Sequence, residues 1–175
     1  GLIELDLPAR FQVLPGRPAI VLDVAHNPQA VAGLAENLAD MPFFARTFAV
    51  VGMLADKDVA GSLAALTARV DLWLLADLDV PRGASAALLA AAIASSGMGG
   101  GVECLASPAQ AFARAAELAE EDDRIIVFGS FYTVAAVVRS MRAGGQGLVK
   151  NRGEQAETPD PSEQRRGLAV QQIGS

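Results

Sequence analysis

An α/β fold with a mostly parallel sheet and helices on both faces is predicted by three observations. Short apolar, partly β-branched runs recur along the chain, and each is followed by a stretch with helical periodicity. The helical stretches open on capping residues, twice in the order cap then proline, at Asn27-Pro28 and Ser107-Pro108. Alternation of this kind builds parallel strands joined by helical crossovers.

The elements follow in order. Ala19 to Leu22 reads as a strand covered on both faces. Asn27 caps, and Pro28 opens, a helix whose Val31, Leu34, Ala35 and Leu38 share one face. Thr47 to Met53 is a second strand. A loop rich in Asp and Lys leads into a helix with Val59, Leu63, Leu66 and Val70 on one side. Asp71 to Ala76, containing Trp73, is a third strand. After a loop through Pro81, Arg82 and Gly83, Ser85 caps a helix from Ala86 to Ser95, which the glycines of Gly97 to Gly101 end. Val102 to Leu105 is a short strand. The helix opened by Ser107-Pro108 runs through Phe112, Ala115, Ala116 and Ala119 into the acidic Glu120 to Asp123. Arg124 to Phe128 is the last strong strand, and Gly129-Ser130 turns into a helix containing Val134, Val137 and Val138. Residues 19–142 thus form the domain, and 1–18 lead into it. From residue 143 to 175 the chain is polar and aperiodic, with too little apolar area to offset the entropy of ordering, so a disordered tail is expected.

Composition narrows the function classes. The 175 residues are long enough for one well-buried core, and 51% of them are hydrophobic. The lone Cys104 permits no internal disulfide and no cysteine-based zinc cluster; a reducing, cytoplasmic setting and a buried thiol are expected. No run reaches the roughly 18 to 20 apolar residues of a membrane span, and the start has no signal-peptide pattern. The tail balances Lys150, Arg152, Arg165 and Arg166 against Glu154, Glu157, Asp160 and Glu163, so the net charge of -6 belongs to the folded part. That argues against a nucleic-acid surface and against a membrane partner. An anionic nucleotide would have to be held by a few placed groups, such as Arg10.

The site candidates follow from position. Asp23 and His26, the single histidine, fall at the carboxyl end of a strand beside a helix start. Ligands of open α/β sheets bind there, and the helix end favours phosphate oxygens. No G-x-x-x-x-G-K-[ST] loop occurs, and Gly97 to Gly101 follows a helix where a phosphate loop would follow a strand, so it reads as a flexible turn.

The stretch Asp23-Val24-Ala25-His26-Asn27-Pro28 resembles the D-x-A-H-N-P signature that opens the C-terminal domain of the Mur-ligase superfamily of ATP-dependent amino-acid ligases. Its neighbours narrow the resemblance. Leu7-Pro8-Ala9-Arg10-Phe11-Gln12 is similar to the L-P-G-R-F-Q segment of folylpolyglutamate and dihydrofolate synthases. Val51 to Asp58, Pro81-Arg82-Gly83-Ala84 and Phe128 to Ala135 resemble further segments of that family, in family order. The resemblance covers roughly Leu7 to Met141 and implies a Rossmann-like domain, the C-terminal third of such an enzyme. Residues 1–18 then include a linker from an N-terminal ATPase domain, which would carry the phosphate loop and the ligands of Mg2+.

The activity implied by the resemblance is ligation of L-glutamate to dihydropteroate or folate through an acyl phosphate made from ATP. On that reading Arg10 and Asp23 match the ATP-contacting arginine and aspartate, with their spacing. A guanidinium suits phosphate oxygens, and a carboxylate can accept ribose hydroxyls. His26 matches the motif histidine and is expected near the phosphates or the incoming glutamate; a structural histidine is the competing account. Lys57 and Arg82 are candidate substrate contacts, with a loop salt bridge the stronger account of Lys57. Ser130 is a third, against a purely structural role at a helix start; no nearby second histidine supports a serine nucleophile. Three readings of function remain: a folate-glutamate ligase domain, which the flanking segments favour, the equivalent domain of a cell-wall Mur ligase, and a non-catalytic α/β binding module. Family precedent implies a monomer.

Overall fold

The apolar runs become strands and the periodic stretches helices in a computed structural model that describes residues 10–97 and 99–144. The strands are β1 (Gln12–Leu14), β2 (Ala19–Leu22), β3 (Thr47–Val51), β4 (Leu72–Ala76), β5 (Gly101–Leu105) and β6 (Arg124–Phe128). The helices are α1 (Pro28–Ala39), α2 (Val59–Ala64), α3 (Ala86–Ser95), α4 (Pro108–Leu118) and α5 (Phe131–Ala143). They form one sheet in the order β1-β2-β6-β3-β4-β5, in which β1 is antiparallel and every other pairing is parallel. The expected tail, apart from its first two residues, lies outside the described residues.

Register explains why both faces are buried. Ile20, Ile125 and Phe48 stand side by side, as do Val21, Ile126 and Ala49 in the next row. Because successive side chains point to opposite faces, the first row packs under α4 and α5 and the second under α1, α2 and α3. Phe112, Val134 and Val137 cover one face; Val31, Leu34, Leu63 and Leu89 cover the other. Fully burying each such side chain contributes about 1.5–3 kcal/mol, and this double burial is what lets strands of four and five residues hold.

Four details differ from the sequence reading. Gln12–Leu14 is a strand where only a lead-in was expected, since three residues with a half-exposed Val13 carry little apolar signal. The helix from Val59 stops at Ala64; beyond it the chain winds on through i to i+3 bonds such as Leu66 N to Leu63 O, which still brings Leu66 and Val70 into the core. Cys104 is exposed rather than buried, because β5 is the edge strand and alternates its faces toward solvent. The loop salt bridge in the Asp56-Lys57-Asp58 segment is made by Arg82 to Asp56, at 2.8 Å, and not by Lys57.

Candidate functional site

The carboxyl ends of β2, β6 and β3 meet where the helices change from one face of the sheet to the other. Asp23 N donates to Val127 O at 3.0 Å, Gly129 N to Ala25 O at 2.9 Å, and Thr133 Oγ1 to Gly52 O at 2.8 Å. Gly129 has φ +114°, and a Cβ there would lie 2.6 Å from Gly52 O, so only glycine lets the β6 turn pass this close to β3.

β1 brings in the arginine. Its antiparallel register, Gln12 opposite Leu22, places the chain before Gln12 beside the chain after Leu22. Arg10 and Asp23, well apart in sequence, therefore line one cleft of about 450 Å3 together with His26, Asn27 and the outer side of α1. That volume suits a nucleotide-sized ligand.

Each cleft residue has its own constraint. Asp23 is 6% exposed and accepts from Ala25 N at 2.9 Å. Burial raises its carboxyl above the ordinary range, while the Ala25 and Phe11 amides and the Arg10 charge pull the other way. Its two oxygens keep acceptor capacity for a ligand hydroxyl. His26 is exposed, and its Nδ1 lies 3.1 Å from Val24 O. A carbonyl only accepts, so Nδ1 carries the hydrogen and Nε2 is left for a ligand.

Asn27 caps α1, its Oδ1 accepting from Ala30 N at 2.8 Å, and Pro28 opens the helix as expected. Pro28 has no N–H, so the Gln29 amide is what the first turn has left to offer. The helix thus acts on an anion more through its field than through a cradle of amides. Gln29, Gly33 and Asn37 also line the cleft, at intervals of four on α1. The sequence reading missed that stripe, although the spacing beside Val31, Leu34 and Leu38 was there to see.

Lys57, Arg82 and Ser130 do not line this cleft. Lys57 and Arg82 sit on the loops after β3 and β4, which an isolated antiparallel bridge, Leu54 to Gly83, ties together. Ala55 N donates to Arg82 O at 2.7 Å and Ala84 N to Met53 O at 2.8 Å. Arg82 takes φ +64° there, with its guanidinium exposed and paired to Asp56. Ser130 is buried and caps α5, its Oγ accepting from Thr133 N at 3.1 Å. Among the described residues no group of three or more His, Cys, Asp or Glu is arranged to hold a metal ion, and no helix is long and apolar enough to cross a membrane.

Comparison with known proteins gives one consistent result. Residues 9–131 match the model of the Mur ligase, glutamate ligase domain family. The chain is 40% identical over 149 residues to the dihydrofolate synthase/folylpolyglutamate synthase of Escherichia coli (strain K12), covering 83% of this chain and 34% of that protein. Among solved structures, E. coli FolC in complex with DHPP and ADP superposes with a TM-score of 0.72 at 41% identity, over 78% of this chain and 32% of that one. A bifunctional folylpolyglutamate synthase/dihydrofolate synthase with Mn, AMPPNP and L-glutamate bound gives 0.69 at 43%, again over 78% and 32%. The chain spans about a third of the length of the relatives it matches.

Proposed function

The chain belongs to the Mur ligase glutamate ligase domain family, and from that premise we propose that it is the closing domain of an ATP-dependent ligase that adds L-glutamate to dihydropteroate or to folates. The observation that carries the reading is the cleft itself, where a cation, a buried carboxylate and an imidazole meet at a helix start. The folate names of the relatives favour this reading over a muropeptide ligase.

In the proposed reaction the substrate carboxylate takes the γ-phosphoryl group of ATP. The glutamate amine then attacks the acyl carbon, and inorganic phosphate leaves. Catalysis of such a transfer is mainly positioning and charge neutralisation. Arg10 would hold phosphate oxygens, Asp23 the ribose hydroxyls, and His26 Nε2 would face the phosphates or the amine. Lys57 and Arg82, exposed on their paired loops, would be the contacts for a substrate carboxylate. An N-terminal ATPase domain would supply the phosphate loop and the Mg2+ ligands, and the ion would help to neutralise the phosphate charge. Closure of this domain would then exclude water from the acyl phosphate. A monomer in the reducing cytoplasm completes the reading.

The test is phosphate release and glutamate incorporation by the full-length protein carrying this chain. Turnover that requires ATP, L-glutamate and a dihydropteroate or folate acceptor together is the expected outcome. Turnover with a muropeptide acceptor instead would overturn the proposal.

A further inference from the structure

The alternation of β1 does not by itself deliver Arg10 to the cleft. Gln12 and Leu14 pair with Leu22 and Ile20, whose side chains lie on the sheet face covered by α4 and α5, and Leu14 packs there too. Successive side chains point to opposite faces, so a strand continued toward residue 10 would turn Arg10 to that same face. The register then sets it opposite Val24, which also packs on the α4 and α5 side. The cleft lies on the other face. Asp23 shares the parity of Val21, and Gln29, Gly33 and Asn37 belong to α1, which covers Val21.

Phe11 breaks the alternation. Its φ is +43°, in the left-handed region that a bulky L residue rarely enters. The turn leaves the Phe11 amide facing the Asp23 carboxylate and brings the exposed Arg10 into the cleft lining. The ring packs, half-buried, against the core cluster that holds Val31 and Leu34 of α1. Packing of the ring stabilises the fold; the direction of the chain is a matter of the backbone.

We infer that Phe11 is a positioning residue, whose left-handed backbone carries Arg10 from the α4 and α5 face of the sheet to the α1 face, where the guanidinium can meet the phosphate oxygens of a nucleotide held at Asp23. The inference rests on the ligase reading above and deepens it. Unfavourable backbone persists at ligand clamps where it fixes a geometry before the ligand arrives. Arg10 is not held by burial, so the residue beside it sets its direction.

The experiment is steady-state kinetics in the full-length protein carrying this chain, with ATP and L-glutamate varied separately. Wild-type protein that shows no ATP-dependent ligation would defeat the ligase reading itself. With wild-type turnover in hand, Phe11→Val should raise the KM for ATP about tenfold, the worth of one charge-assisted hydrogen bond, because a β-branched residue refuses the left-handed region. The KM for L-glutamate should stay within about twofold. Phe11→Asn accepts the left-handed region, so it should keep the KM for ATP within about twofold although it loses the ring and melts lower. A merely structural Phe11 would give the reverse order, with Phe11→Val harmless and Phe11→Asn damaging. Phe11→Ile, also β-branched, covers the case in which Phe11→Val does not fold. In an Arg10→Ala background, Phe11→Val should change the KM for ATP by less than about twofold, since the residue acts through Arg10. An unchanged ATP KM in the β-branched variant would overturn the inference. So would a Phe11→Asn protein as impaired as Phe11→Val, or a Phe11→Val effect that persists in full without Arg10.

Discussion

At the scale of single residues, Asp23 combines a burden and a use. Its carboxylate is buried beside a cleft, and desolvation raises its pKa against two amides and the Arg10 charge. A carboxyl whose folded pKa is raised binds its proton more tightly in the folded state, so stability falls as pH climbs from the unfolded value, near 3.8, through the folded one. Asp23→Asn keeps an oxygen for Ala25 N and removes the charge. Its melting temperature should exceed that of wild type at pH 7, and the two should converge as pH drops toward 3.8. A variant that melts lower than wild type at pH 7 would contradict this account. The use is expected to show in nucleotide kinetics: Arg10→Ala or Asp23→Ala in the full-length protein should lose on the order of 1.5–3 kcal/mol of ATP binding. Unchanged ATP constants in both variants would remove these residues from the site.

At the scale of elements, the site depends on two helix starts and one tight turn. Asn27 satisfies Ala30 N at the start of α1, and Asn27→Ala should cost about 1 kcal/mol, read as a lower denaturant midpoint with an unchanged slope. The β6 turn is less forgiving. At Gly129 an alanine would combine a backbone conformation that L residues rarely adopt with a Cβ driven onto Gly52 O. Gly129→Ala should therefore destabilise by about 3 kcal/mol or more. A loss under about 1 kcal/mol would show that the β3 and β6 ends can separate more freely than the bonding implies. Both helix starts were legible in the sequence, because a capping side chain next to the first apolar period is a local signal. β1 was not: a three-residue edge strand gains its stability from β2 and has no pattern of its own.

At the scale of the whole molecule, the proposed function gives this chain one wall of a nucleotide cleft. The charged groups that stabilise phosphoryl transfer would lie mostly on the domain it closes against. The isolated 175-residue chain should fold, neither hydrolyse ATP nor ligate glutamate, and bind ATP weakly. If half of the contacts are absent and each is worth about 1 kcal/mol, affinity falls by several powers of ten relative to the closed enzyme. Calorimetric titration with ATP, together with a phosphate-release assay, checks both statements. Robust turnover by the chain alone would overturn its place as a closing domain.

What the sequence determined by itself is local and periodic: the alternation of strand and helix, the caps at Asn27, Ser85 and Ser107, the helix start at Gly129-Ser130, and the placing of Asp23 and His26 at a strand end. These rest on contacts within a few residues, or on a two-faced burial that every strand repeats. Tertiary structure decided what depends on distant partners. It set Arg10 beside Asp23 through the β1 register and exposed Cys104 by leaving β5 at the edge. It also paired Arg82, not Lys57, with Asp56 and tied Ser130 through Thr133 to Gly52. No spacing along the chain encodes those meetings, because the strand order that makes neighbours of β2, β6 and β3 is fixed only when both faces of the sheet are covered at once.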